Sequence, residues 1–434
     1  MRYLTQYTCR EAVNCNSSIN VNINKMKQLF FFIGLLLPAF SFSQTASDFF
    51  KKGDSLYEAK DYKNSALAYT AGIRGKGNEA LLSRYTFCAA LWSLAGASDS
   101  AFHYLGIISK SDKISSNDVN RIKSDNDFNS IKKDKRWQPI IEKAIEQAKK
   151  NRFAQEELIY GRKDGIGLTL VWVKPKIKAN GKAIIRVQSG AWISVFIGTE
   201  IQTELLQSYL KKGYSVFVAM HGSQPRYAIP DAVNDIKRAV RYVRYNADKF
   251  GISPNSIGIT GFSSGGHLSL MVAMAEEKID SMAADPVDRV SSRVQAVAVL
   301  YPPTDFLNWG KKDFNILQDQ SFVKNARIGE AFNFKMYDRR ASTLSIISDS
   351  VQKYKIMKKF SPIYAISPHD PPVFIIHGDA DRTVPLQQSE AFIAKLNETG
   401  LANKLIIKKN VGHRIEDMLP EFYLFSDWFD KYLK

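Results

Sequence analysis

The period of the apolar positions changes once along this chain. Between residues 45 and 150, Phe50, Gly53, Leu56 and Tyr57 recur at helical spacing, followed by Tyr62, Ala66, Tyr69 and Ile73. The same spacing predicts helices over Glu79–Leu94 and Ser98–Ser109. Nothing in this stretch alternates as a half-buried strand would. From residue 155 on, short apolar runs bounded by turn residues alternate with helical patterns. They predict strands at Leu168–Val173, Ala183–Val187, Tyr214–Met220, Ile257–Thr260, Val294–Tyr301, Val373–His377 and Leu405–Lys409. Helices are predicted at Thr199–Lys212, Asp231–Lys249, Ser264–Glu276, Leu386–Thr399 and Ile415–Leu433. Strands alternating with helices specify an α/β domain, with a mostly parallel sheet covered on both faces. The stretch from about 305 to 360 breaks the rhythm and reads as an insertion over the C-terminal edge of the strands, where α/β sites form.

The helical segment repeats itself. Ala66 and Tyr69 return 35 residues later as Ala101 and Tyr104. Small and aromatic residues recurring at about this period resemble tetratricopeptide repeats, although the repeat's leading tryptophan and closing proline are missing. Residues 127–137 read as a last, degenerate repeat. Such stacks of helix pairs hold a partner peptide in a groove or pack on the neighbouring domain. Both readings stay open here, so a protein partner is one expectation.

An address precedes both domains. Met26-Lys27-Gln28 leads into a 12-residue apolar run, Leu29 to Phe40, and then Ser41-Phe42-Ser43. A basic start, a short apolar core and a small-x-small end describe a secretory signal peptide cleaved near Ser43. The run is too short to span a bilayer as a helix, so no transmembrane segment is expected. Residues 1–25 are polar and unpatterned, and read as an over-extended start. The expected location is periplasmic or secreted. Cleavage would remove Cys9 and Cys15 and leave Cys88, which suits an oxidising compartment.

Composition removes several classes. Hydrophobic residues make up 45% and charged residues 24%, which excludes a disordered chain. The net charge is +17, but the excess is dispersed: Lys110 to Arg152 holds twelve basic and seven acidic residues. It reads as a solvated surface, and no nucleic-acid partner is expected. The three cysteines form no Cys-x-x-Cys, and the six histidines form no H-E-x-x-H. No metal or cofactor is therefore expected.

The chemistry centres on Gly261-Phe262-Ser263-Ser264-Gly265. This G-x-S-x-G lies between a predicted strand and a predicted helix, the context of a nucleophile elbow. A serine nucleophile needs a base and an orienting acid, in the chain order serine, acid, histidine. His267, one turn past the elbow, reads as structural, and His377 as a prop for the acid loop. His413, in Val411-Gly412-His413 before the last helix, is where the base belongs. The acid lies in His377-Gly378-Asp379-Ala380-Asp381-Arg382-Thr383-Val384. Asp381 is assigned because the loop has room there to turn the carboxylate toward His413. Asp379, nearer the sheet, reads as accepting backbone N–H groups within its own turn. The oxyanion donors are expected at Ser264 and in the loop Gln188-Ser189-Gly190-Ala191-Trp192, from Gly190 and Ala191.

With these motifs in view, residues 155 to 434 resemble the α/β-hydrolase superfamily. They are similar to bacterial feruloyl and acetyl-xylan esterases and to hormone-sensitive-lipase-like esterases. Pro230-Asp231-Ala232-Val233-Asn234-Asp235 leading to Ala239-Val240-Arg241, Ser361-Pro362-Ile363, and H-G-x-x-D-x-x-V at His377, Asp381 and Val384 carry the likeness. The resemblance implies a serine hydrolase acting on a small-molecule or carbohydrate-linked ester. Two departures stand out. The oxyanion loop usual in that family, H-G-G-G-W, reads Q-S-G-A-W here, and Met220-His221-Gly222-Ser223 replaces the usual D-Y-R, leaving His221 to line the pocket or to pack a loop. A prolyl-oligopeptidase-like peptidase shares the triad, but such enzymes usually place a large β-propeller before the hydrolase domain. A third reading is a repeat-mediated binding protein with a degenerate hydrolase domain. Between 306 and 360 the insertion carries eleven basic and five acidic residues, with Phe306, Trp309, Phe314, Phe332 and Phe334 among its aromatics. These side chains either stack on a sugar or aryl group, or form the cap's own core.

Overall fold

A computed structural model describes residues 45–77, 81–196, 205–274, 277, 279–338 and 343–434. The leader and the upstream start fall outside these residues, as do the first six residues of the helix expected over Thr199–Lys212; of the rest, Gln207–Leu210 is α-helical.

Among the described residues, six helices come first: α1 (Ala46–Glu58), α2 (Tyr62–Lys76), α3 (Leu82–Leu94), α4 (Ser98–Ile108), α5 (Ser116–Ser124) and α6 (Trp137–Asn151). Capping boxes open two of them, Thr45 with Asp48 and Ser115 with Asp118, satisfying N–H groups that the first turn leaves free. Ala66 and Tyr69 on α2, and Ala101 and Tyr104 on α4, are all buried in one apolar cluster together with Phe50, Leu91 and Phe128. Cys88 is buried in the same cluster as a free thiol.

Ten strands follow. They are β1 (Gln155–Lys163), β2 (Ile166–Val173), β3 (Ala183–Val187), β4 (Ser215–Ala219), β5 (Ile257–Phe262), β6 (Ala296–Leu300), β7 (Lys335–Asp338), β8 (Thr343–Ile346), β9 (Val373–Gly378) and β10 (Asn403–Lys408). Eight of them form one sheet in the order β1-β2-β4-β3-β5-β6-β9-β10, antiparallel at β1/β2 and β2/β4 and parallel elsewhere. Strands β3 to β6 and β9 are buried at nearly every position, because helices cover both faces. One face packs on Ile229–Tyr245, Ser264–Met274 and Gln387–Glu398, the other on Gln207–Leu210 and Phe422–Tyr432.

Three expectations change. Strand β1 was not foreseen. Its charged residues, Glu156, Glu157, Arg162 and Lys163, hide a buried Leu158 and Tyr160, and a register shift between Ile159 and Gly161 breaks the alternation. The last helix begins at Phe422, not Ile415, because Leu419–Glu421 forms a 3-10 turn around Pro420. The insertion holds a two-stranded hairpin, β7/β8, as well as short helices. Its Phe306, Trp309, Phe332 and Phe334 are buried in the same cluster as the sheet, with Phe314 packed against it. They are core side chains, not a platform open to ligand.

Candidate active site

The elbow depends on what glycine permits. Strand β5 ends at Phe262 and the next helix begins at Ser264, leaving Ser263 in the turn with φ +52°. A left-handed serine costs about 1 kcal/mol and persists only where the surroundings fix it. A Cβ on Gly261 would lie 2.3 Å from Gly265 O, and one on Gly265 would lie 2.8 Å from Val187 O. The strand, the turn and the helix start therefore approach at backbone distance. Ser263 N donates to Leu300 O (3.0 Å), tying the turn to β6. The half-buried Ser263 side chain stands at the N-terminus of the Ser264–Met274 helix, where the dipole favours developing negative charge.

Asp381 and His413 follow neighbouring parallel strands, β9 and β10, so their turns lie side by side. Ala380 N donates to Val411 O (3.0 Å), and Asn410 N donates to Asp379 Oδ1 (2.6 Å). Asp379 thus joins the two turns, accepting from the far turn instead of its own. Asp381 faces the histidine: His413 Nδ1 lies 2.6 Å from its Oδ2, while its Oδ1 accepts from Thr383 N (2.8 Å) and Val384 N (2.9 Å). Burial pushes the Asp381 carboxyl up. Hydrogen bonds from His377 and His413, the electrostatic attraction of His413 and the Val384 N–H outweigh that effect and hold it well below the usual carboxylate range. The carboxylate is ionised at any working pH, so the shared proton sits on His413 Nδ1 and leaves Nε2 as an acceptor.

His377 is fully buried beneath this pair. Its Nε2 lies 2.9 Å from Val384 O, an acceptor only, so Nε2 carries the proton and Nδ1 accepts from Ser389 Oγ (2.7 Å). That N–H also points at Asp381 Oδ2 from 3.3 Å. Tyr301 also belongs to this site and went unread as a site residue in the sequence. It follows β6 with φ +35°, and its ring centroid lies 4.2 Å from that of His413. Ser263, Tyr301, Asp381 and His413 thus follow four consecutive strands of the sheet, at one edge of it. Among the described residues no hydrogen bond joins the Ser263 hydroxyl to His413. Such contacts commonly tighten only when substrate is bound.

The oxyanion loop requires a correction. Gly190 N donates to Ile193 O at 2.9 Å, and Ile193 N returns a bond to Gly190 O. Gly190 is therefore not a free donor in this conformation, and Ala191 is the loop's remaining candidate beside Ser264. The cause is a tight turn in which Ala191 (φ +48°) and Trp192 (φ +57°) are both left-handed. Trp192 is fixed there by its buried ring and by its Nε1–H, which donates to His267 Nδ1 (3.1 Å). Ala191 is held by its carbonyl, which accepts from Gln224 Nε2 (2.5 Å), and has only a methyl group to set against the strain of its positive φ. Ala191→Gly should raise stability by about 1 kcal/mol, the left-handed penalty partly offset by glycine's entropy. Urea unfolding of the two proteins measures it, and a less stable variant contradicts the strain.

Arg186 on β3 also went unread. It is buried, its Nη1 donates to Gln188 Oε1 (2.6 Å), and its guanidinium lies 5.0 Å from the Phe262 ring. Burial lowers its pKa to about 10. It braces the first residue of the oxyanion loop from below. Two other histidines, His267 and His221, are buried packing groups. His267 Nε2 donates to Phe360 O (2.8 Å), and burial lowers its pKa to about 4. Unfolded histidine titrates near 6.5, so between pH 6.5 and 4 the unfolded chain binds the extra proton and stability falls with pH. His267 alone should remove about 2 kcal/mol between pH 7 and 5, seen as net proton uptake on unfolding at pH 5 and as an imidazole NMR signal that stays neutral there. His221 packs a loop, its Nδ1 donating to Gly222 O (2.7 Å).

Comparison with known proteins gives the family and the fold. The BD-FAE family model matches residues 171–396, a span that includes Ser263 and Asp381 and stops before His413. The "Probable carboxylic ester hydrolase LipM" of Mycobacterium tuberculosis is 29% identical over 242 residues, covering 55% of this chain and 50% of that one. The chain spans about half the length of the curated relatives it matches. A truncated carbohydrate esterase from gut microbiota superposes with a TM-score of 0.50 at 25% identity, covering 64% of this chain and 96% of that one. An acetyl ester-xyloside bifunctional hydrolase from Caldicellulosiruptor lactoaceticus shares the fold, with a TM-score of 0.51 at 24% identity over 64% of this chain and 96% of that one.

Proposed function

Because the chain belongs to the BD-FAE family, we propose that it is a serine hydrolase cleaving carboxylic esters through an acyl-enzyme on Ser263. The observation that carries this reading is the 2.6 Å bond between Asp381 and His413, made at the same sheet edge as the elbow serine. His413 Nε2 takes the Ser263 proton as Oγ attacks the ester carbonyl. The oxyanion forms at the helix N-terminus, facing the Ser264 and Ala191 N–H groups. Asp381 stays ionised and stabilises the imidazolium, which then protonates the leaving alcohol. Water, activated by the same histidine, releases the acid.

Acyl or aryl esters, including esters on carbohydrate, are the proposed substrates. The names of the relatives support this class: one is a carboxylic ester hydrolase and one a carbohydrate esterase. Turnover of p-nitrophenyl acetate beside alanyl- and prolyl-p-nitroanilide tests the reading. Ester turnover without anilide turnover supports it, and the reverse assigns a peptidase.

We also propose export, on the strength of the basic start, the apolar run and the Ser41-Phe42-Ser43 end. Protein purified from its native host should begin at Gln44. An intact Met1 or Met26 would defeat the export claim.

A further inference from the structure

The odd-numbered helices of the N-terminal module face the chain's own histidine loop. Three cavities of about 260, 150 and 400 Å³ lie along this seam. One wall comes mainly from α1, α3 and α5, with Tyr69 and Lys76 of α2, and the other from residues 408–420 with Leu205. Val411, Arg414, Ile415 and Glu416, within three residues of His413, line these cavities.

One side chain crosses the seam. Arg84 on α3 lies with its guanidinium 4.6 Å from the Phe50 ring centroid and donates to Tyr69 Oη (2.9 Å). Tyr69 Oη in turn donates to Asp54. Held on its stem side in this way, Arg84 Nη2 reaches to 3.6 Å from Asp417 Oδ1, with its side chain only 14% exposed. Asp417 sits four residues after His413, and Arg414 Nε approaches its other oxygen at 3.7 Å. Residues 409–418 hold no helix or strand, and their backbone hydrogen bonds to one another, such as Arg414 N to Gly412 O, are few. A loop of this kind takes its position from what it leans on.

We infer that the helical module positions the base: Arg84, through Asp417, holds residues 414–417 and with them the orientation of His413 against Asp381. The inference rests on the reading of His413 as base. A small displacement of a base lowers turnover steeply without changing affinity for a small substrate.

The test compares Arg84→Gln, Arg84→Lys, Asp417→Asn and the double variant Arg84→Gln/Asp417→Asn on p-nitrophenyl acetate, with folding checked by circular dichroism. Each neutralising variant should lower kcat about 10-fold with KM nearly unchanged. The lysine variant should recover part of the loss, and the double variant should be no slower than the slower single one. Fluorophosphonate labelling of Ser263 should slow in parallel. Should Arg84→Gln misfold, Asp417→Asn on the opposite wall reads the same contact. Parental kcat in the folded single variants, or strictly additive losses, overturns the brace while Ser263→Ala remains inactive. Persistent turnover in Ser263→Ala instead overturns the site assignment on which the brace depends.

Discussion

Ser263→Ala should be folded, unlabelled by a fluorophosphonate, and slower in kcat by at least ~10³-fold. The expectation follows from how little of the chemistry survives without the hydroxyl. Asp381 and His413 remain paired in the variant, because their contact belongs to the β9 and β10 turns and does not involve the elbow. Without an attacking oxygen, that pair has only water to activate. Binding and the remaining oxyanion donors give the residual rate. The fold should hold. Alanine occupies the left-handed φ of +52° at a cost similar to serine, and the backbone bonds to Leu300 and His267 do not use the side chain. Labelling that persists in the alanine protein would move the nucleophile to another serine.

Asp381→Asn should cost ~10²–10⁴ in kcat, whereas Asp379→Asn should cost about 1 kcal/mol of stability and little rate. The two carboxylates are two residues apart and do different work. Asparagine at 381 can still accept from Thr383 N and Val384 N with its carbonyl. Its amide then faces His413 Nδ1 as a donor, which makes Nδ1 the acceptor and puts the ring proton on Nε2. Protonated Nε2 cannot take a proton from serine. Asparagine at 379 keeps an oxygen for the Asn410 N–H and weakens one contact between the turns. Kinetics of both variants, with urea unfolding of each, separates the roles. A folded Asp379 variant that loses turnover, beside an Asp381 variant that keeps it, would exchange the assignments.

What the sequence made legible was local in its physics. The elbow could be read because Gly261 and Gly265 are required by contacts within five residues and with the adjacent strand end. Asp381 could be read because the H-G-x-x-D-x-x-V resemblance favours it and the loop has room there to turn the carboxylate toward His413. The Gly190 donor failed because its N–H goes to Ile193 in a turn with two left-handed, non-glycine residues, a conformation that neither alanine nor tryptophan advertises. Strand β1 was hidden by its charges, and Tyr301 by lying outside every motif. Arg186 was hidden because a charged residue in an otherwise apolar strand gives no sign of what it faces. The contact between Arg84 and Asp417 joins residues more than 300 positions apart and leaves no local pattern.

The order of the strands bears on how such a molecule would lose function. Strand β10 closes the sheet and has one neighbour, β9, and none of its six residues is fully buried. Amide protons of an edge strand exchange through openings smaller than global unfolding. The turn carrying His413 hangs from that strand, while the serine hangs from β5 in the protected middle of the sheet. Warming should therefore silence turnover through fraying of β10 while far-ultraviolet ellipticity is still native, and cooling should restore it. Deuterium uptake at Leu405, Ile406 and Ile407 would mark the temperature at which this begins.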